Sequence, residues 1–145
     1  MQYQCTIDIN GPRDRVTALF DDPDNLMQWQ DGLQSFEHFE GEFGAVGSRS
    51  RIRYKMGKRE IEMIETLEEH AMPDRMVAVY ETKGVWNRNV NTFTDLGEAT
   101  RWNMDCDFRC SGFLKVMAFV APGMFRKQTE KMMQDFKRFA EAEMG

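Results

Sequence analysis

From Arg101 to Cys110 the chain reads RWNMDCDFRC, and Trp102, Met104, Cys106, Phe108 and Cys110 alternate with Arg101, Asn103, Asp105, Asp107 and Arg109. A period of two held over ten residues sends the first set to one face of a β-strand and the second to the other. Such a strand belongs to an antiparallel sheet with one solvated face, and an apolar element must cover the opposite face.

Upstream the same sheet extends. Tyr3, Cys5, Ile7 and Ile9 alternate in a first strand. After Gly32, breaks at Gly41–Gly47, Met56–Lys58, Met72–Asp74, Lys83–Gly84 and Gly97–Glu98 leave strand-length runs between them. These give six further strands with short connections, as an antiparallel meander requires. Between the first two strands, Pro12 precedes RDRVTALF, with Val16, Leu19 and Phe20 on one helical face, and Asp22-Pro23 opens a second short helix carrying Leu26, Met27 and Trp29. The cover lies at the other end of the chain. Phe125, Thr129, Met132, Phe136, Phe139 and Ala140 recur at three- and four-residue steps, which predicts a long amphipathic helix over Gly123–Glu143. Pro122 separates it from a short apolar helix at Leu114–Val120.

Two-residue turns set the register. A turn at Gly57-Lys58 pairs Lys55 with Glu60 and Arg53 with Glu62, so the basic run Arg49, Arg51, Arg53, Lys55 becomes the solvated face of a strand beside an acidic one. Ile52, Tyr54, Met56, Ile61, Met63, Glu65 and Leu67 then turn the other way. A turn at Gly97-Glu98 pairs Phe93 with Trp102, Asn91 with Met104, Asn89 with Cys106 and Asn87 with Phe108, with Arg88 opposite Asp107 outside. Tyr80, Ala78 and Met76 join the inner set, and Val77, Val79 and Val90 the outer. One bulge would flip every side chain beyond it, so the register leaves open which face the asparagine row takes.

The chain has 145 residues, 41% of them hydrophobic and 30% charged, which suits one globular domain over residues 1–145. No apolar run reaches the roughly 20 residues that span a bilayer. The start lacks the basic flank and apolar block of a signal peptide, so a cytoplasmic location is expected. A net charge of −5 argues against a nucleic-acid partner. Cys5, Cys106 and Cys110 have no metal-site spacing with His38 and His70, so buried thiols are expected and no metal or cofactor. The tandem carboxylates Asp21-Asp22 and Glu68-Glu69 read as solvated surface.

INGPRDRVTALFDDPDNLMQW, GAVGSRSRIRY and MMQDFKRFAEAE stand in an order and spacing that resemble the START-like (SRPBCC) superfamily, which includes lipid-transfer and polyketide cyclase/dehydrase-like proteins. The resemblance covers the whole chain. It implies an α+β helix-grip fold: a seven-stranded, strongly bent antiparallel sheet wrapped around a long C-terminal helix, with two short helices between strands one and two. Between sheet and helix it implies a cavity for an apolar or amphipathic small molecule. First and last strands would be neighbours, bringing Cys5 beside Cys106 or Cys110.

The residues expected around that cavity are Trp29, Tyr54, Met63, Glu65, Tyr80, Asn87, Asn89, Asn91, Phe93, Trp102, Met104, Phe108, Phe125, Met132 and Phe136. Twelve methionines, an adaptable side chain, agree with variable contents or with ordinary core filling. Trp29 is expected to close one end, its N–H near a polar rim. Catalytic motifs for nucleophiles, zinc or phosphates are absent. Three functions follow. The first is binding of a hydrophobic or amphipathic ligand, lipid- or polyketide-like, by a monomer or homodimer. The second is a cofactor-independent cyclase or dehydratase with Glu65 as the candidate base, Tyr80 and the asparagines fixing carbonyl oxygens. The third is a protein-interaction or assembly role using the valine side of the sheet.

Overall fold

In the computed structural model, which describes residues 1–145, hairpin turns rest on glycines at Gly84 and Gly97, with φ of 81° and 89°. A side chain with a Cβ is strained in that left-handed region, so glycine is what lets these turns be two or three residues long. The strands they join are β5 (Arg75–Thr82), β6 (Val85–Asp95) and β7 (Ala99–Cys110). Upstream lie β1 (Gln2–Asn10), β2 (Leu33–Glu40), β3 (Arg49–Met56) and β4 (Arg59–Ala71). All seven form one antiparallel sheet in the order β1-β7-β6-β5-β4-β3-β2, so the first strand lies against the last.

Two helical pieces separate β1 from β2. Helix α1 (Arg13–Asp21) starts directly after Pro12, whose carbonyl accepts from the Arg15 and Val16 amides. Asp22 then accepts from the Asp24 amide at 2.9 Å and caps a 3-10 turn at Pro23–Asn25, which runs into α2 (Leu26–Trp29). After β7 come α3 (Phe113–Val120) and the long α4 (Gly123–Met144). This is the helix-grip architecture expected from the sequence.

The core fills one end of the concave face. Phe136 of α4 sits edge-on to Trp29, Trp102 and Phe20, with ring centroids 4.9, 5.4 and 5.6 Å apart, and Phe93 stacks on Trp102 at 5.9 Å. Cys5, Ile9, Val16, Met104, Cys106, Met133 and Ala140 complete the buried cluster. Within it the Trp102 indole N–H donates to Asn91 Oδ1 at 2.9 Å. The asparagine row therefore faces inward.

The predicted registers hold: Lys55 opposite Glu60, Arg53 opposite Glu62, Phe93 opposite Trp102 and Asn87 opposite Phe108. The solvated face differs in detail. Arg88 stands opposite Asp107 but its guanidinium turns to Glu68 at 3.0 Å, while Asp107 lies 3.7 Å from Arg109. Glu69 pairs with Arg75 at 2.9 Å. These long side chains flank Val77 and Val79 on the outer face, and both valines are buried, Val77 at 0% exposure. Val90 alone of the three keeps part of its surface, so the exposed valine face expected from the sequence is not there.

Candidate functional site

The inner face of a sheet that grips a helix ought to be apolar, and one line across it is not. His38, Ser50, Glu65, Tyr80, Asn87 and Phe108 stand opposite one another from β2 to β7 as a single cross-strand row. A polar group taken from water without a hydrogen-bond partner costs about 1–3 kcal/mol, so a line of five polar residues calls for a partner beyond the Asp107 carbonyl that Asn87 has. Helix α4 does not supply it. Its main close approaches are to β1, α1 and α2, which leaves the β3–β5 part of the inner face less covered.

Glu65 and Tyr80 occupy the middle of the row. Both are partly buried and keep some accessible surface, and they face each other across the strands with the Tyr80 hydroxyl in reach of the Glu65 carboxyl. Burial pushes the Glu65 carboxyl above the ordinary carboxylate range; the nearby Tyr80 hydroxyl holds it down in part, and the charge of Asp21 raises it further. Burial likewise pushes the Tyr80 phenol well above its ordinary value, the Glu65 charge adding to the effect. Tyr54, raised for the same two reasons, donates to Gln30 Oε1 at 2.7 Å and so ties β3 to the end of α2.

On β6 the Asn87 amide donates to Asn89 Oδ1 at 2.9 Å and to the Asp107 carbonyl at 3.2 Å, leaving the Asn89 amide group without a protein partner. At the β7 side the Tyr3 hydroxyl donates to the Phe125 carbonyl at 3.1 Å and pairs with Thr129 Oγ1 at 2.7 Å. The neighbouring Cys106 thiol is pushed up to about 12 by burial, and Cys5 and Cys110 are also free.

The residues singled out from the sequence divide into two groups. Tyr54, Met63, Glu65, Tyr80, Asn89, Phe108, Phe125 and Met132 are partly accessible, with Phe108 and Phe125 in ring contact at 4.9 Å. Asn87 is buried beside them. Trp29, Phe93, Trp102, Met104 and Phe136 are instead packed on one another in the closed core, and Asn91 is occupied by Trp102. Trp29 is the clearest correction: its N–H is enclosed and unpartnered rather than at a polar rim, because Phe20 and Phe136 pack around the indole.

Other residues were missed. A groove of about 540 Å³ opens between the short helices and the β2 edge, lined by Pro23, Asp24, Met27, Leu33, Phe36, His38 and Phe43. His38 places an enclosed, unpartnered Nε2 there, edge-on to Phe43. Asp21, read as solvated, receives His70 Nε2 on both carboxylate oxygens at 2.8 and 2.9 Å. The β2 register that would have exposed His38 is hidden by irregularities at Leu33–Ser35 and His38–Glu40. No signal linked Asp21 to His70, which lie 49 residues apart. No three His, Cys, Asp or Glu side chains cluster in a way that would hold a metal ion.

With this geometry in view, the comparisons are specific about ancestry. The family described as polyketide cyclase/dehydrase and lipid transport matches residues 2–141. The chain belongs to that family. Its fold is shared with solved structures at low identity. A Thermus thermophilus protein aligns over 100% of both chains with a TM-score of 0.82 and 17% identity. An aromatase/cyclase from a Streptomyces species aligns over 100% of this chain and 96% of its own, with TM-score 0.78 and 11% identity. A START superfamily protein from Mycobacterium smegmatis aligns over 97% of each chain, with TM-score 0.77 and 12% identity. No curated protein sequence matches the chain. Membership in the polyketide cyclase/dehydrase and lipid transport family supports hydrophobic ligand binding or a cyclase-type role, and no helix is long and apolar enough to cross a membrane.

Proposed function

We propose that this protein binds an amphipathic small molecule, lipid- or polyketide-like, between the inner face of the sheet and α4. One observation carries the reading: the polar row through Glu65, Tyr80 and Asn87 on a face that should be apolar, in which Glu65 and Tyr80 have only each other as side-chain partners and the Asn89 amide group makes no protein hydrogen bond. A ligand hydroxyl or carbonyl placed against that row satisfies those groups, while Met63, Phe108, Phe125 and Met132 contact its apolar body. The groove beside Met27, Phe36 and His38 is the way in, since His38 is the outer member of the same row. The whole chain acts as a single START-like domain, and its three free thiols suit a cytoplasmic setting.

The raised carboxyl of Glu65 facing Tyr80 favours a second reading, a cyclase or dehydratase. Glu65 would take a proton from a carbon beside a carbonyl, the Tyr80 hydroxyl donating to the carbonyl oxygen as negative charge builds there, and the proton would leave with a departing hydroxyl as water. A thermal-shift panel of fatty acids and aromatic polyketides tests the binding reading. Stabilisation by some members, lost in Tyr80→Phe with Asn89→Leu, supports it. No shift across the panel removes it. Turnover of a bound β-hydroxy ketone by the wild type and not by Glu65→Gln would favour the enzyme.

A further inference from the structure

Helix α3 is apolar on both its inner and outer sides, Lys115 being its one charged residue. Leu114, Met117 and Ala118 turn toward the protein, with Leu114 lying against the β5–β6 turn at Gly84. The opposite side carries Phe113, Val116, Phe119 and Val120, and Phe113 and Phe119 are 72% and 87% exposed. Met124, just beyond Pro122, is exposed as well. A helix that is apolar all round is normally enclosed, and a contiguous exposed apolar patch marks a docking surface.

Charge identifies the occupant. From Phe108 to Thr129 the chain holds Arg109, Lys115, Arg126 and Lys127 and not one Asp or Glu, in a protein whose net charge is −5. Lys83, exposed on the adjoining β5–β6 turn, adds to them. Arg109 lies over the Trp86 ring at 4.5 Å, and Arg126 is held to the Gln4 carbonyl at 2.8 Å and over the Tyr3 ring. Both charges are therefore held in place, one on each side of α3 along the chain. Asp107, 3.7 Å from Arg109, and Glu130, which lines one groove with Arg126 and Lys127, offset part of this charge. An exposed apolar helical face carrying one lysine and bounded in sequence by further cations is the pattern that lies in the interface of an anionic lipid bilayer. A second copy of the chain fits worse, because a two-fold contact through α3 would bring the same cations together.

We propose that α3 docks this protein on anionic membrane surfaces, Phe113 and Phe119 entering the acyl boundary and Lys115, Lys127 and Arg109 meeting lipid phosphates. The inference rests on the exposed helix and its charges and stands whether or not the interior holds a ligand.

Flotation of the full-length protein with vesicles tests it, using phosphatidylcholine alone and phosphatidylcholine mixed with phosphatidylglycerol. The wild type should float with the mixed vesicles, less with the neutral ones, and detach at high salt. Phe113→Ser with Phe119→Ser should lower partitioning on the order of 100-fold, from two exposed rings that no longer insert. Lys115→Glu with Lys127→Glu should remove the preference for the anionic vesicles. Neither pair touches the core, so unchanged melting temperatures would show intact folds, and the salt and lipid dependence of the wild type needs no variant. The proposal is overturned if the wild type ignores anionic vesicles, if both variant pairs bind as it does, or if the phenylalanine pair instead converts a dimer to a monomer without any vesicle binding.

Discussion

Glu65→Gln separates charge from shape at the centre of the polar row. Glutamine has nearly the same volume, so no cavity opens and the difference in stability reports the carboxylate. Glu65 has its folded-state pKa raised, first by burial and then by Asp21. Between its unfolded and folded pKa the native protein holds a proton that the unfolded chain has released, so native stability falls as pH rises through that window. Below the ordinary carboxylate value the group is neutral in both states and the variant should match the wild type. Above the folded pKa the wild type carries a buried carboxylate whose charge the Tyr80 hydroxyl only partly offsets, a cost of about 1–3 kcal/mol that the neutral variant lacks. Urea denaturation followed by the fluorescence of buried Trp29 and Trp102 measures this at about pH 4 and about pH 8, on either side of the ordinary carboxylate value. The expected result is equal stability at the acid pH and a more stable Glu65→Gln at the alkaline one. A variant less stable than wild type at both pH values would show that Glu65 is paired and solvated, and the reasoning for an unfilled polar row would fail.

Phe136→Ala, which removes a fully buried ring that touches Trp29, Trp102 and Phe20, should cost about 3–5 kcal/mol by denaturant titration and red-shift the tryptophan emission. Asn91→Leu leaves the buried Trp102 N–H without its acceptor and should cost about 1–3 kcal/mol in the same assay. Val77→Asp should unfold the protein or lower its stability by about 3 kcal/mol or more, where an exposed valine patch would give almost no change in melting temperature. A colorimetric disulfide reagent should modify Cys110 quickly and reach Cys5 and Cys106 only after denaturation, because both are buried and their thiols are pushed up, Cys106 to about 12.

The alternation from Trp102 to Cys110 and the short glycine turns made the β3–β4, β5–β6 and β6–β7 hairpins legible in register, since a hairpin turn and a two-residue period together leave little freedom. The same logic grouped Tyr80 with the asparagine row and put Glu65 with Ile61 and Met63, but left the face of the asparagine row open until the Trp102–Asn91 bond settled it. It failed where side chains cross strands. The valines of β5 are covered by Glu69–Arg75 and Glu68–Arg88, and Glu68 lies within a register irregularity of β4 that no local pattern announces. Trp29 looked like a cavity wall because its neighbours in sequence are polar, whereas its neighbours in space are Phe20 and Phe136, contributed by two other helices. His38 stayed hidden because β2 joins β3 through a long loop and two irregularities, so its register could not be carried across. Helix α3 was recognised as apolar, but a hydropathy pattern does not say whether an apolar helix is covered.

The central claim is that the inner polar row receives the polar end of a small molecule, and native mass spectrometry of protein purified from its own host addresses it most directly. The expected result is an added mass that resolves, after extraction, to a molecule with an apolar body and a hydroxyl or carbonyl end, present on the wild type and lost from Tyr80→Phe with Asn89→Leu. A bare chain mass from the host preparation, unchanged after incubation with lipids and polyketides, would contradict it.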